Sequence, residues 1–363
     1  MVFVRSITRL SPFLATVSLV AVALTVPSSA TAEPTPEGTS DRAPDRASDR
    51  APSALERRND PDPQVLVISI DALNPNALRK LGRKGAPSLW RLVDEGAATL
   101  NARTQRELTV TLPNHTSMVT GRRIDASAGG HGVTWNDDDP GRPATVHAAA
   151  GENVESLFSA AHDAGLSTAL FATKTKFSLF ASSWPAALDR VTIKEERDGA
   201  VVKAVRRDLL RDRAVTFVHL GLADKTGHAK SFMSRAYLRA VRRLDGLVGG
   251  ILDDADRRPA LDDLSIVLTS DHGGLPGTTD HSPADKLADY RVPFSVWGPG
   301  ISPVDLYDVN PGYRDPKRKR TRLKGKQPVR NGDVANVALG LLGVDPMPGS
   351  RFGKKRPLRL TAR

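Results

Sequence analysis

The sequence predicts an α/β fold: an open, mostly parallel sheet with helices on both faces. Two observations carry this expectation. First, several short runs are almost continuously apolar and rich in β-branched residues, the pattern of strands buried on both faces. Second, segments of helical period separate those runs, so strands and helices alternate along the chain. With 363 residues and 39% hydrophobic content, the chain can bury a sizeable core in one large domain.

The first strand is Val65-Leu66-Val67-Ile68-Ser69-Ile70, which begins abruptly after a polar stretch. A helical pattern runs from Ser88 to Glu95. Further strands are expected at Thr168 to Ala172, Val215 to Leu220 and Leu264 to Thr269. Helical patterns at Val154 to Ala164, Val201 to Arg211 and Arg235 to Asp253 lie between them. A last helix is expected from Asp333 to Leu342, with Gly343 as its stop signal.

The residues before Val65 read differently. Arg5 and Arg9 precede an apolar run from about Phe13 to Val26, followed by Ala30-Thr31-Ala32. A basic start, a short apolar segment and an Ala-x-Ala site make residues 1–32 an export signal. The run is shorter than the roughly 20 residues that span a bilayer, so no stable membrane span is expected after cleavage. The mature protein is then secreted, extracellular or kept in the cell envelope. Residues 33–63 contain the near-repeat Asp41-Arg42-Ala43-Pro44, Asp45-Arg46-Ala47-Ser48, Asp49-Arg50-Ala51-Pro52 and read as a disordered linker. Residues 64–363 are then one catalytic domain. There is no cysteine, so stability must come from packing and bound metal.

The formal net charge is +11, a mild bias toward anionic substrates. Much of it sits in one basic loop near 311–327, around Lys317-Arg318-Lys319-Arg320. No aromatic residues are interleaved there to stack bases, so a solvated loop is expected, without a dedicated nucleic-acid site.

The chemistry gathers at strand ends. Asp71 follows the first strand, Asp224 follows the strand from Val215, taken to end near Leu222, and Asp271 follows Leu264 to Thr269. In open α/β sheets ligands bind outside the carboxyl ends of the strands, so the three can converge. Two of them are coupled to imidazoles, in Asp224-Lys225-Thr226-Gly227-His228 and Asp271-His272-Gly273-Gly274, and His281 follows shortly after. A lone strand-end aspartate is usually a cap, and a lone histidine usually a surface or core residue. Together, Asp71, Asp224, His228, Asp271, His272 and His281 suit two divalent ions with positions left open for substrate. Carboxylate and imidazole without thiolate favour zinc, and manganese or iron fit the same ligand types. Thr111, in Thr109-Val110-Thr111-Leu112-Pro113-Asn114-His115, would stand just before a helix ending near Gly121, where free N–H groups and the dipole favour an anion.

Five motifs then occur in order: Val67-Ile68-Ser69-Ile70-Asp71, Thr111-Leu112-Pro113-Asn114-His115, Gly130-His131-Gly132-Val133-Thr134-Trp135-Asn136, Asp224-x-x-Gly227-His228 and Thr269-Ser270-Asp271-His272-Gly273-Gly274. This order resembles the alkaline phosphatase superfamily, and most closely its type I phosphodiesterase/nucleotide pyrophosphatase branch, over roughly residues 64 to 350. The resemblance implies that Asp71, Asp271, His272 and the Thr111 hydroxyl bind one zinc, and Asp224, His228 and His281 the other. It implies that Thr111 attacks phosphorus and becomes a phosphothreonine, with Asn136 and the Leu112 N–H holding a phosphoryl oxygen. Ala72 departs from the glycine usual after the first aspartate, and the small glycine-rich stretch from Asp125 to Gly130 reads as an insertion.

A sulfatase would need a cysteine or serine for its aldehyde, and Thr111 cannot make one. The expected activity is cleavage of a small phosphodiester or nucleotide pyrophosphate. A phosphate monoesterase and a phosphonate hydrolase are the enzymatic alternatives. A catalytically inactive, secreted metal-binding protein is the alternative from another class. Lys174 and Lys176 are candidates for substrate contact, with exposed loop lysines as the plainer expectation.

Overall fold

The computed structural model describes residues 62–362. The expected export signal, and all of the linker except Asp62 and Pro63, lie outside the described residues. Among the described residues no helix is long and apolar enough to cross a membrane.

The elements run in the order β1 (Gln64–Ile70), α1 (Pro75–Gly85), α2 (Pro87–Asp94), β2 (Ala97–Arg103), α3 (Thr111–Thr120), α4 (Val146–Ala150), α5 (Leu157–Asp163) and β3 (Thr168–Ala172). They continue with α6 (Ser178–Ser183), β4 (Arg190–Ile193), α7 (Asp198–Asp208), β5 (Val215–Leu220), α8 (Leu222–Lys230), α9 (Arg235–Arg257) and β6 (Leu264–Thr269). The last are α10 (Leu287–Tyr290), β7 (Arg291–Trp297), α11 (Leu306–Val309) and α12 (Val334–Leu341). The seven strands form one sheet in the order β2-β7-β6-β1-β5-β3-β4. Only β7 runs against the others, pairing antiparallel with both β2 and β6. The sheet is therefore open and mostly parallel, as the apolar runs predict.

The parallel strands β1, β3, β5 and β6 are buried on both faces, and their alternate residues feed two cores, whereas the edge strand β4 is partly exposed. On β1, Val65 and Val67 join Phe217, Val267 and Phe294 with the helical residues Leu112, Val119, Phe158 and Leu339. Leu66, Ile68 and Ile70 join Phe171, Val218 and Ile266 with Leu78, Leu89, Val205, Val241 and Leu244. Helices thus cover both faces. Truncating one fully buried residue such as Ile68 to alanine would cost roughly 2–5 kcal/mol.

Strand β7 escapes the sequence pattern because Pro293 interrupts it, and proline argues against a strand flanked on both sides. The sheet accommodates it with a bulge in β2. Phe294 pairs with Thr99 and Val292 with Ala102, so Leu100 and Asn101 together oppose the proline. A missing N–H is tolerated where the ladder is already broken.

What positions the site is the order of the central strands. β1 lies between β5 and β6, and Ser69 is level with His219 on one side and Thr269 on the other. The carboxyl ends of all three strands open on the same edge. The residues that follow them meet there.

Candidate active site and metal centre

Asp71 directly follows β1, and Ala72 then turns the chain with φ +60°. That left-handed conformation costs an L-residue about 1–2 kcal/mol and explains why glycine is usual here. The Ala72 N–H donates to Asp271 Oδ1 at 3.1 Å, which ties the end of β1 to the end of β6. Asp271 follows β6 after Ser270. Asp224 is placed differently from the sequence expectation. β5 ends at Leu220, and Asp224 is the third residue of α8, so Asp224 and His228 lie one turn apart on the same helix.

The glycines of these motifs serve packing rather than unusual dihedrals. A Cβ on Gly227 would stand 2.0 Å from the Phe232 ring, one on Gly274 2.3 Å from it, and one on Gly273 2.0 Å from the Ala288 carbonyl.

Two ligand clusters result: Asp71, Asp271 and His272 in one, and Asp224, His272 and His281 in the other. In the first, His272 Nε2 lies 3.3 Å from Asp71 Oδ1 and 3.1 Å from Asp271 Oδ2. In the second, Asp224 Oδ1 lies 3.3 Å from His228 Nε2 and 3.5 Å from His281 Nε2. All three rings are held in one tautomer. His228 Nδ1 donates to the Thr279 carbonyl at 2.7 Å, His281 Nδ1 to that of Thr109 at 2.7 Å, and His272 Nδ1 to that of Gly273 at 2.9 Å. Each Nε2 lone pair is thereby aimed at carboxylates, the second-sphere arrangement typical of metal-binding histidines.

The fit to cations can be tested on the orphaned atoms. Asp71 Oδ1, Asp224 Oδ1, Asp271 Oδ2 and His272 Nε2 are buried without a hydrogen-bond partner among the described residues. Converging lone pairs left unsatisfied in a protein interior are costly unless a cation joins them. The donor set therefore fits divalent metal.

The crowding of these groups also shifts their titration. Burial and the neighbouring Asp71 raise the Asp271 carboxyl. Burial alone would lower His272, but Asp271 and Asp71 outweigh it and lift the imidazole to about 10. Burial pushes His281 down to about 3.

Lys174 is the correction to the plainer expectation for the two lysines. It follows β3, and its ammonium lies 2.5 Å from Asp71 Oδ2 and 2.8 Å from Asp224 Oδ2, bridging the two clusters. It stands in for part of the positive charge that the carboxylates demand. His219 was not foreseen. Its Nε2 sits 2.9 Å from Asp71 Oδ2 and its Nδ1 3.1 Å from the Thr173 hydroxyl. The one signal for it was an imidazole inside the apolar run of β5.

Thr111 is the first residue of α3, two positions earlier than Pro113 suggests, with Val110 as the cap. Its hydroxyl lies 3.5 Å from Asp71 Oδ2 and 3.4 Å from Lys174 Nζ. The Leu112 N–H donates to Asn136 Oδ1 at 2.9 Å, so the residues from Asp125 to Gly130 do not displace Asn136. His115 locks the start of α3, meeting the Thr111 carbonyl and Ser69 Oγ at 2.8 Å each. His131 accepts the Val133 N–H at 3.1 Å and meets Ser117 Oγ at 2.9 Å, a packing role. All seven predicted ligands, Thr111 included, and Asn136 thus gather at one strand edge. Lys176 reaches the Asn136 carbonyl and lines the adjoining cleft.

Residues 65–321 match the profile of the type I phosphodiesterase / nucleotide pyrophosphatase family. The chain belongs to that family. Within it, the mouse ectonucleotide pyrophosphatase/phosphodiesterase family member 7 is 25% identical over 63% of this chain and 53% of its own length. The GPI ethanolamine phosphate transferase 1 of Chaetomium globosum is 32% identical over 44% of this chain, which spans only 17% of that relative. The fold is that of murine ectonucleotide pyrophosphatase/phosphodiesterase 5, solved as an inactive threonine-to-alanine variant with AMP. The match has a TM-score of 0.59 at 15% identity and covers 82% of this chain and all of that one. The alkaline phosphatase-like architecture expected from the motifs is therefore present.

Proposed function

We propose that this chain is an exported phosphodiesterase of the nucleotide pyrophosphatase type, with Thr111 as nucleophile between two divalent ions, zinc fitting first. The reading rests above all on the orphaned oxygens and nitrogen of Asp71, Asp224, Asp271 and His272 converging beside the Thr111 hydroxyl. Asp71, Asp271, His272 and Thr111 would hold one ion, and Asp224, His228 and His281 the other. The ions would neutralise phosphoryl oxygens and lower the pKa of an alcohol.

The chain's own residues do the rest. Thr111 Oγ1, fixed at the start of α3, gives up its proton and bonds to phosphorus as the leaving alcohol departs protonated, giving a phosphodiester of Thr111 with the retained alcohol that water then hydrolyses to a phosphomonoester and free Thr111. The Leu112 N–H and the Asn136 amide flank the phosphoryl group at a helix N-terminus, where an anion is favoured. Lys174 adds a third positive group within reach of the same oxygens.

Turnover of bis-nitrophenyl phosphate, nitrophenyl phosphate and a nitrophenyl nucleotide ester tests the reading. Faster cleavage of the monoester would replace it with a phosphomonoesterase. The ethanolamine phosphate transferase relatives favour a second outcome, transfer of the phosphoryl group from Thr111 to an alcohol. A new phosphodiester of an added alcohol, formed in place of the monoester product, would mark it.

A further inference from the structure

The basic loop is not a free-standing solvated segment. Residues 311–327 carry eight basic residues against one acid, Asp315, and residues 351–363 carry six with no acid. Their combined excess is larger than the +11 of the whole chain, so the rest of the sequence is slightly acidic. The fold brings these two separate segments together around a cleft of about 470 Å³, lined by Lys326, Arg351, Lys354, Lys355 and Arg356.

The cleft is built in advance. The Arg351 N–H donates to the Gly121 carbonyl at 2.7 Å, at the C-terminal end of α3. Asn336 holds the tail through Ser350 Oγ at 2.9 Å and the Met347 N–H at 3.0 Å. Tyr313 reaches across from the loop, its hydroxyl 2.7 Å from the Arg356 carbonyl, and Arg356 donates to the Gly312 carbonyl at 3.1 Å. Ten residues of α3 separate this end from Thr111, a rise of about 15 Å.

Among the described residues no carboxylate lies within ion-pair distance of Lys326, Arg351, Lys354, Lys355 or Arg356. The one acid in the cleft, Asp333, is buried, accepts the Arg330 N–H at 2.7 Å and is pushed by burial up to about 6. Five unpaired cations on a fixed wall repel one another, and an anion carrying several charges removes that repulsion. The aromatic groups are not free to stack bases. Phe352 is buried, and Tyr313 is half-buried and packed against the core.

We propose that this cleft is a second site that binds a linear phosphate polyanion through its phosphates alone, apart from the catalytic centre. The full chain is titrated with labelled inorganic polyphosphate between about 50 and 200 mM salt, where affinity falls steeply in proportion to the phosphates neutralised. The variant K354Q/K355Q/R356Q is expected to bind at least tenfold more weakly, with a shallower salt slope and unchanged turnover of a small nitrophenyl diester. The variant K354Q/K355Q keeps the Arg356 contact to Gly312 and should show the same loss in part. A charge-matched control on α1, R79Q/K80Q/K84Q, is expected to bind like wild type.

Absence of binding at 50 mM salt would overturn the proposal, as would an equal loss in the α1 control. So would tighter binding of single-stranded DNA at equal phosphate, which indicates base reading. Binding to anionic phospholipid vesicles without binding to polyphosphate would make the patch a membrane contact instead.

Discussion

His228 and His281 face one another through their Nε2 atoms at 3.2 Å, although 53 positions separate them in sequence. Each ring commits its Nδ1 proton to a backbone carbonyl, of Thr279 and Thr109 respectively. Two nitrogen lone pairs at that distance repel unless a shared cation or proton lies between them. The backbone carbonyls that fix the tautomers therefore leave two ring nitrogens, one on α8 and one on the loop bearing His281, facing one another as a cation site requires.

On the two-ion proposal, His281→Ala should release about one of the two proposed ions while leaving the fold in place. Metal content of the purified variant checks this. Removing both ions from wild type with a chelator should lower Tm. At a free metal concentration of 100 times Kd, the stabilisation lost is about 2.7 kcal/mol for each ion. A chelator without effect on either Tm or turnover would sink the metal assignment.

Thr111→Ala removes the proposed nucleophile but only one of the ligands of its ion. The expected result is a fall in turnover of at least about 10³-fold with metal content largely retained. Because Thr111 is buried at the first position of α3, the variant should remain folded. Residual activity near wild type would exclude covalent catalysis by this hydroxyl.

Asn136 touches the backbone of the residue after Thr111, through the Leu112 N–H at 2.9 Å. A group that holds charge as it develops on phosphorus acts more on kcat than on KM. Asn136→Ala should accordingly lower kcat by about 10²- to 10³-fold with a smaller change in KM. A rise in KM alone would instead make Asn136 a substrate-binding residue.

The sheet was legible because parallel strands buried on both faces leave unbroken apolar runs; β3, β5 and β6 follow those runs residue for residue, and β1 begins one residue earlier, at Gln64. β7 was hidden by Pro293, whose cost is met by a bulge in a strand far away in sequence. The candidate ligands were legible because carboxylates and imidazoles come in pairs soon after strands. Lys174 was legible only as a candidate for substrate contact and His219 not at all, since their contacts depend on reaching Asp71 across strands. No spacing records that β3 and β5 deliver them to the same carboxylate oxygen, Asp71 Oδ2. The placement of Asp224 on α8 rather than at the end of β5 was equally invisible, because a helix starting after one glycine leaves no separate signal.

Asp289 gives a prediction outside the ligand set. Its carboxylate is buried, and neither oxygen has a partner among the described residues. Burial pushes it from 3.8 to about 7, with the neighbouring His272 opposing that shift. Between about pH 4 and 7 the folded protein therefore holds a proton that the unfolded chain has released. Stability must fall as pH rises through that window, and above pH 7 the cost of the buried charge is present in full. A shift of this size corresponds to at most about 4 kcal/mol, and relaxation around the group should leave on the order of 2 kcal/mol. Asp289→Asn removes the charge without changing the volume. The variant should exceed wild type in denaturant stability at pH 8 by that amount and match it at pH 4. If the variant is instead the less stable of the two at pH 8, the ionised carboxylate has a stabilising partner and the assignment of a raised pKa fails.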